Sequence, residues 1–471
     1  MLPPDIFHQL ATAVGAEHVR ADDEIRTGYG TDALKRGAPA DAVAFPGNTE
    51  EVVAVVRVCA EHRIPIVPRG AGSGYTGGAV PTQGGVVVAL DRMNRILEID
   101  EANLIAIVEP NVITGDLQDA VEKVGLFYPP DPASLRQCAI GGNVAENAGG
   151  PRAFKYGTTK QYVLGLEAVL PTGEVIETGG KVVKSVVGYD LTHLLVGSEG
   201  TLAIITKIIL RLVPLPAVQA TLRASFADVH GAVQAVANIV RARVVPAALE
   251  LIDGDSLDAV GRYLQRRSLA PEGTGAILLL EVDGVPSAVG EEASRVEDAC
   301  RAAGATEVLR ARDEAERAEL WSVRRELSFS LRMITALKFN HDVVVPKGRI
   351  PELFALVHRL KSEYRLRIPL FGHAGDGNIH VNIMVDPNDQ DEIARAHQAE
   401  RVLFEGVVAL EGSISGEHGI GFSKAPFLPI ELSADEIALM KRVKQAFDPL
   451  GIMNPGKIFP TESFTGRQPA D

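Results

Sequence analysis

The sequence predicts an α+β fold in more than one domain, and three observations carry that reading. A chain of 471 residues exceeds what one hydrophobic core holds, which is roughly 250–300 residues. β-Branched runs alternate with amphipathic stretches of helical period along its length. After Pro214 and Pro216 the glycine-rich loops of the first part give way to a regular alternation of strand and helix, which suggests helices packed on one face of a sheet. The expected divisions are 1–215, 216–420 and a C-terminal segment 421–471.

An apolar content of 46% with 23% charged residues is that of a globular protein. No apolar run approaches the roughly 18 residues that span a bilayer, and MLPPDIFHQL lacks the basic and apolar regions of a signal peptide, so a soluble cytoplasmic protein is expected. The net charge of −14 disfavours nucleic acid and anionic membrane surfaces as partners, and an anionic substrate would need local basic residues. Cys59, Cys138 and Cys300 are odd in number and far apart; they read as buried small side chains and not as a disulfide or metal framework.

The elements follow in order. A helical N-terminal stretch leads to PGNTEEVVAVVRVCAEH, where Asn48 caps a helix with Glu51 three residues on and Val52, Val56 and Cys59 form its apolar stripe. A strand over 64–67 runs into RGAGSGYTGGAVP. Gly72, Gly74 and Gly77 there satisfy G-x-G-x-x-G, yet Pro81, Gly84 and Gly85 stand where a phosphate-binding helix should begin and 86–90 reads as another strand. What remains is a glycine-lined loop whose backbone N–H groups suit a diphosphate. A helix over 114–124, with Leu117, Val121 and Val124 on one face, precedes PPDPAS and IGGNVAENAGG, whose prolines fix extended backbone and whose small residues admit a flat ligand. A turn at 171–173 and a small-residue loop at 197–200 complete a first part with three such loops, which points to a nucleotide-like cofactor. In the second part, strand-like ATLRASF, AALELID and AILLLEV alternate with helices near 228–242, 256–265 and 286–303. The helix over 313–331 buries Leu320, Val323, Leu327 and Leu331; at 100° per residue Arg324 lies at the stripe edge, with Ser328 one turn on, and Arg325 points to solvent. Helices near 391–410 and 433–447 close the chain.

The densest stretch is FGHAGDGNIHVNIM over 371–384. Gly372, Gly375 and Gly377 permit a tight turn that brings His373 near His380, and alternation then puts His380, Asn382 and Met384 on one strand face. Two imidazoles make an incomplete metal site, for which Glu417 or His418 in SISGEHGIG offers a third ligand.

Taken in chain order, PRGAGSGYTGG, PPDPAS, IGGNVAENAGG, GSEGTLAIIT, GHAGDGNIH, GEHGIG and NPGK resemble the motifs of the FAD-linked oxidases of the vanillyl-alcohol-oxidase type, within them the group that contains D-lactate dehydrogenase, D-2-hydroxyglutarate dehydrogenase and the FAD-linked subunit of glycolate oxidase. The likeness covers essentially residues 20–460. It implies an α+β fold: a two-part FAD-binding domain, to which the C-terminal segment returns, and an α+β cap domain built on an antiparallel sheet. Pro68 and the loop of Arg69, Gly70, Ala71, Gly72, Ser73 and Gly74 would hold the FAD pyrophosphate. Pro130, Asp131, Ser134, Gly142, Asn143, Ala145, Gly149, Glu199, Gly200, Ile205 and Asn454 would contact the rest of the cofactor. His373, His380 and Glu417 match the family's ligands to a divalent metal, zinc first, with manganese or iron as alternatives. His418 matches the general base, Asn378 a polar group at the substrate, and Arg324 the clamp on the substrate carboxylate. Ser73 stands where some relatives attach FAD through histidine, which implies non-covalent FAD. Ser328 stands where relatives acting on larger acids have threonine, and Asn340 where they place a lysine, the nearest being Lys338. These departures favour a small monocarboxylate.

The resemblance implies oxidation of a 2-hydroxy acid of glycolate or D-lactate type: the metal lowers the hydroxyl pKa, His418 removes its proton and the Cα hydride passes to flavin N5. A dehydrogenase for larger D-2-hydroxy acids is the nearest alternative. A zinc hydrolase or a non-catalytic flavin subunit of an electron-transfer complex are those from other classes. With no cysteine cluster to carry electrons onward, reoxidation needs an external acceptor or a partner electron-transfer subunit, through which the chain would sit peripherally at a membrane; a homodimer is compatible with the sequence.

Overall fold

The computed structural model describes residues 1–265, 270–335 and 337–460. It comprises two compact units. The first is Met1–Ala148, Thr158–Leu215 and Glu417–Asp471, and the second is Gly149–Gly157 with Pro216–Gly416. The end of the expected C-terminal segment, 461–471, lies outside the described residues.

In the first unit the helix Thr49–His62 starts as its sequence demands. Asn48 Oδ1 accepts the Glu51 N–H at 2.9 Å, and Glu51 Oε2 accepts the Gly47 N–H at 2.7 Å. Its buried stripe of Val52, Val55, Val56 and Cys59 packs on Ile66, Val86 and Val88. Those residues belong to a four-stranded sheet in which Ile66–Arg69 and Ala42–Ala44 flank Val86–Ala89 in parallel. Strand Ile66–Arg69 is followed by a loop that reaches strand Val86–Ala89 without a helix, so the G-x-G-x-x-G match has no dinucleotide-binding context. A five-stranded antiparallel sheet carries Ile204–Arg211 at its centre. Two local expectations are corrected. The helix at 114 ends at Glu122 and leaves Val124 exposed, because Gly125 turns the chain at φ +74°. IGGNVAE forms a short helix, Ile140–Glu146, held by tertiary contacts: Ile140 is buried and Asn143 Nδ2 donates to Thr114 Oγ1 at 2.7 Å.

The second unit is built on a seven-stranded sheet. Its strands are β1 (Val218–Phe226), β2 (Ala248–Asp253), β3 (Ala276–Gly284), β4 (Glu307–Arg310), β5 (Leu337–Val344), β6 (Leu370–His373) and β7 (Asn378–Val385). They lie in the order β4-β1-β3-β2-β6-β7-β5, and every pairing is antiparallel. Directly opposed residues share a face. Register opposes Glu250 to His373, His373 to Asn378, and His380 to both Phe371 and Asp342; Asn340 opposes Asn382. One face therefore gathers Glu250 of β2, Asn340 and Asp342 of β5, His373 of β6, and Asn378, His380 and Asn382 of β7. The helix Glu314–Arg332 crosses that face and packs Val323, Leu327 and Leu331 against Ile252, Ile277, Phe371 and Met384.

Helices cover both faces of this sheet, not one as the sequence suggested. Gly231 of the helix Val229–Arg241 sits against Phe226, and the Phe404 ring of the helix Gln390–Ala409 lies 5.0 Å from that of His341, both on the side away from Glu250. A strand such as β3, buried on both sides, reads as a continuous apolar run and does not say how many of its faces are covered.

Candidate active site

The glycine turn after β6 does what its composition requires. Gly377, at φ +88°, donates its N–H to the His373 carbonyl at 3.0 Å, and its Cα faces the Val345 carbonyl so closely that a Cβ would stand 2.0 Å from that oxygen. The return brings His373 and His380 together, both buried, with ring centroids 5.4 Å apart, rings near perpendicular at 83°, and a nitrogen of each within 4.8 Å of the other.

A carboxylate that sequence reasoning missed lies beside them. Glu250, with no exposed surface, presents Oε1 to His373 Nδ1 at 2.5 Å and accepts Arg324 Nε on Oε2. Burial pushes its pKa up, but the charges of His373 and Arg324 and their hydrogen bonds outweigh this and bring it to about 2. An ionised carboxylate only accepts, so Nδ1 of His373 carries the proton. The Arg324 guanidinium lies 4.9 Å from the Phe371 ring centroid, and that ring is 5.1 Å from His380. Arg324 is thus buried and Arg325 exposed, as helical phase predicts.

Around this group Asn378 is buried and donates to the Val343 carbonyl at 3.2 Å. Asp342, fully buried opposite His380, accepts the Gly416 N–H on Oδ2 at 2.9 Å. A Cβ at Gly416 would stand 2.3 Å from Asn378 Nδ2, so glycine is required there. Glu417 is the next residue and the first of the final segment of the first unit. Lys338 and Ser328 are brought together, Nζ donating to Oγ at 3.4 Å; burial, then the charge of Arg332, lowers the lysine pKa to about 8.

In the first unit several of the residues expected to hold the cofactor pack on one another. Pro68 and Arg69 end a strand, and Gly70, Ala71, Gly72, Ser73 and Gly74 form the loop after it. A Cβ at Gly70 would meet Ala139 and the Gly142 N–H at 3.5 Å, and one at Gly200 would meet the Pro68 ring at 3.2 Å. The Glu199 N–H donates to the Ala145 carbonyl at 2.8 Å, and Asn454 Nδ2 donates to the carbonyls of Gly78 and Glu199 at 2.8 and 2.7 Å. Glu199 accepts the backbone N–H groups of Ile420 and Gly421, both at 2.7 Å, and Arg69 donates to the carbonyls of Thr31 and Tyr29 at 2.6 and 3.3 Å; these two side chains shape the loops. Pro130 accepts Gln118 Nε2 at 2.9 Å, Asp131 and Ser134 share its loop, Ile205 lies on the central strand, and Gly149 belongs to the second unit. His418 lies on a turn, its carbonyl accepting Thr76 Oγ1 at 3.0 Å and its ring 5.3 Å from that of Tyr75; Gly419, at φ +76°, keeps GEHGIG out of an extended strand.

Two groups fit these residues. The histidine pair, one ring held by a carboxylate at Nδ1, is a donor set suited to a divalent transition metal. The glycine loops leave room for a flat cofactor, since a Cβ at Gly142 would meet nothing within 4 Å.

Residues 40–179 match the family described as FAD binding domain, and residues 215–458 match that of FAD linked oxidases, C-terminal domain. The glycolate oxidase subunit GlcD of Bacillus subtilis is 43% identical over 98% of this chain and 97% of its own. GlcD of Escherichia coli is 40% identical over 95% and 89%, and a D-lactate dehydrogenase of Anaerostipes hadrus 38% identical over 94% and 95%. In fold the chain is similar to p-cresol methylhydroxylase, with a TM-score of 0.79 at 19% identity over 96% of each chain. It is likewise similar to 4-ethylphenol oxidase from Gulosibacter chungangensis, with 0.78 at 22% over 97% of each.

Proposed function

Because the chain belongs to the FAD-linked oxidases of the vanillyl-alcohol-oxidase type, we propose that it is a dehydrogenase oxidising a small 2-hydroxy acid, of glycolate or D-lactate kind, to the 2-oxo acid. The observation that carries the reading is the placement of Arg324 beside the His373–His380 pair on one buried sheet face. A 2-hydroxy acid has a carboxylate and a hydroxyl on adjacent carbons, and this face offers a guanidinium for the first and an imidazole pair for the second. The names of the relatives GlcD and D-lactate dehydrogenase agree with that substrate class.

Bound FAD supplies the hydride acceptor, held without a covalent link because Ser73 offers no attachment. A divalent metal held by His373, His380 and Glu417 supplies a Lewis acid that makes the substrate hydroxyl more acidic. The rest falls to the chain's own side chains. Arg324 receives the carboxylate and aligns the substrate, with Asn378 as a polar contact and Ser328 and Lys338 bounding the site. His418 takes the hydroxyl proton. Electrons leave to an external acceptor or a partner subunit, and the chain acts in the cytoplasm or at a membrane through that partner. A second reading, larger D-2-hydroxy acids with another anionic group, is favoured by the ammonium of Lys338 one helical turn beyond Arg324 at Ser328.

The test is anaerobic bleaching of the flavin by a panel of monocarboxylic and dicarboxylic 2-hydroxy acids, with and without chelator. Bleaching by glycolate or D-lactate that chelation abolishes is expected. A protein that takes up no FAD, or a flavin that no 2-hydroxy acid bleaches, overturns the proposal. His418→Ala that keeps normal flavin reduction with FAD and metal bound overturns the assignment of the base.

A further inference from the structure

Glu250 has two oxygens and two partners. Oε1 faces His373 Nδ1 at 2.5 Å and Oε2 accepts Arg324 Nε, and β2 brings the residue there by opposing it to His373 in register. Stability alone does not call for such an arrangement, because buried ion pairs are often replaced by apolar residues at little cost. The geometry does something specific to each partner. It fixes the His373 tautomer, with the proton on Nδ1 and Nε2 on the opposite edge of the ring. It also engages the Arg324 side edge, so that a substrate carboxylate must be met by the Nη1/Nη2 end while the guanidinium stays seated on Phe371 at 4.9 Å.

We infer that Glu250 is a positioning residue shared by both halves of the site, setting the carboxylate clamp through Arg324 and the metal ligand through His373 with one side chain. The inference rests on the roles of Arg324 and His373 proposed above. It makes substrate affinity and metal retention respond together to a residue that touches neither substrate nor metal. Glutamine keeps the shape of Glu250 but has one acceptor oxygen and an NH2, so it cannot accept from both Nδ1–H and Nε–H, and at least one partner turns away.

The experiment compares the full-length flavoprotein with Glu250→Gln, after chelator treatment, by titration with zinc and by steady-state kinetics on the best 2-hydroxy acid. The expected result is a 10–100-fold weaker zinc affinity together with a KM raised about tenfold or more, at unchanged flavin absorbance and FAD content. Unchanged zinc affinity or unchanged KM overturns the shared role. Should Glu250→Gln fail to fold, the double variant Glu250→Gln/Arg324→Gln leaves no unpaired buried charge, and zinc affinity equal to that of Arg324→Gln alone overturns it. A wild-type protein that binds zinc while no 2-hydroxy acid bleaches its flavin sinks the proposed function instead, and the zinc titration still decides the His373 half of the inference.

Discussion

Replacing Gly377 by alanine tests whether the turn between His373 and His380 holds the pair together. The added Cβ would stand 2.0 Å from the Val345 carbonyl oxygen, so the turn must move by about 1 Å to restore an ordinary contact. A side chain at φ +88° costs about 1–2 kcal/mol, and the shift strains the bond from Val345 N–H to the Gly377 carbonyl, now 3.1 Å, worth about 1 kcal/mol more. With the close contact itself, a loss of roughly 3–4 kcal/mol is expected. Gly304→Ala is the control: its φ is +84° in the same unit, but a Cβ there meets nothing within 4 Å, so only the backbone term applies. The chain has one tryptophan, Trp321, which lies in the second unit and donates to Glu281 at 3.0 Å, so its fluorescence follows the unfolding of that unit. At a urea dependence of about 2 kcal/mol per molar, the Gly377→Ala midpoint should fall about 1 M below that of Gly304→Ala. Zinc binding should weaken in the first variant alone. Equal midpoints and equal zinc binding would refute the claim that backbone approach at Gly377 builds the site.

Arg324→Met leaves Glu250 buried with only His373 as partner, so a loss of about 3–5 kcal/mol and a large rise in KM are expected, whereas exposed Arg325→Met should change denaturation and KM little. The ammonium of Lys338 is held near pH 8; if it assists an anionic substrate, KM rises as pH passes 8 and Lys338→Met shows a high KM without that inflection, whereas a wild-type KM flat from pH 7 to 9 argues against the contact. Asp253 caps the helix Gly254–Tyr263, and burial raises its pKa to about 6 from 3.8. A carboxyl whose folded value lies above its unfolded one contributes stability that is full below pH 3.8 and is lost as pH rises through 6, about 3 kcal/mol in all. The stability of Asp253→Asn relative to wild type should therefore improve by about that amount between pH 4 and pH 7, measured by urea unfolding, and a constant difference would refute the assignment.

Where a fold element depends on local chemistry, the sequence shows it. Asn48 and Glu51 mark their helix start, and the stripe Leu320, Val323, Leu327 and Leu331 separates buried Arg324 from exposed Arg325. Elements decided by distant partners escape. IGGNVAE has two glycines and poor helix propensity, yet becomes helical because Ile140 and Asn143 are held by the core and by Thr114. AILLLEV is apolar on both faces up to Glu281, so nothing within it announces a second layer of helices.

The site divides the same way. The histidine pair was legible because a glycine turn and strand alternation act over eight residues, His373 to His380. Glu250 was not, because its partners lie 74 and 123 residues away. Yet one signal was present. A carboxylate in the middle of AALELID, whose strand is buried through to its terminal aspartate, costs several kcal/mol to desolvate unless cations or hydrogen-bond donors meet it. Such a residue states that a partner exists without saying which. Of the candidates in this chain, a guanidinium at a stripe edge and an imidazole on a buried strand are the groups that gain as much from the pairing as the carboxylate does, since each needs a fixed orientation to bind anything else. A buried acid in an apolar strand is therefore a reason to search the rest of the sequence for cations with a function, and here that search ends at Arg324 and His373.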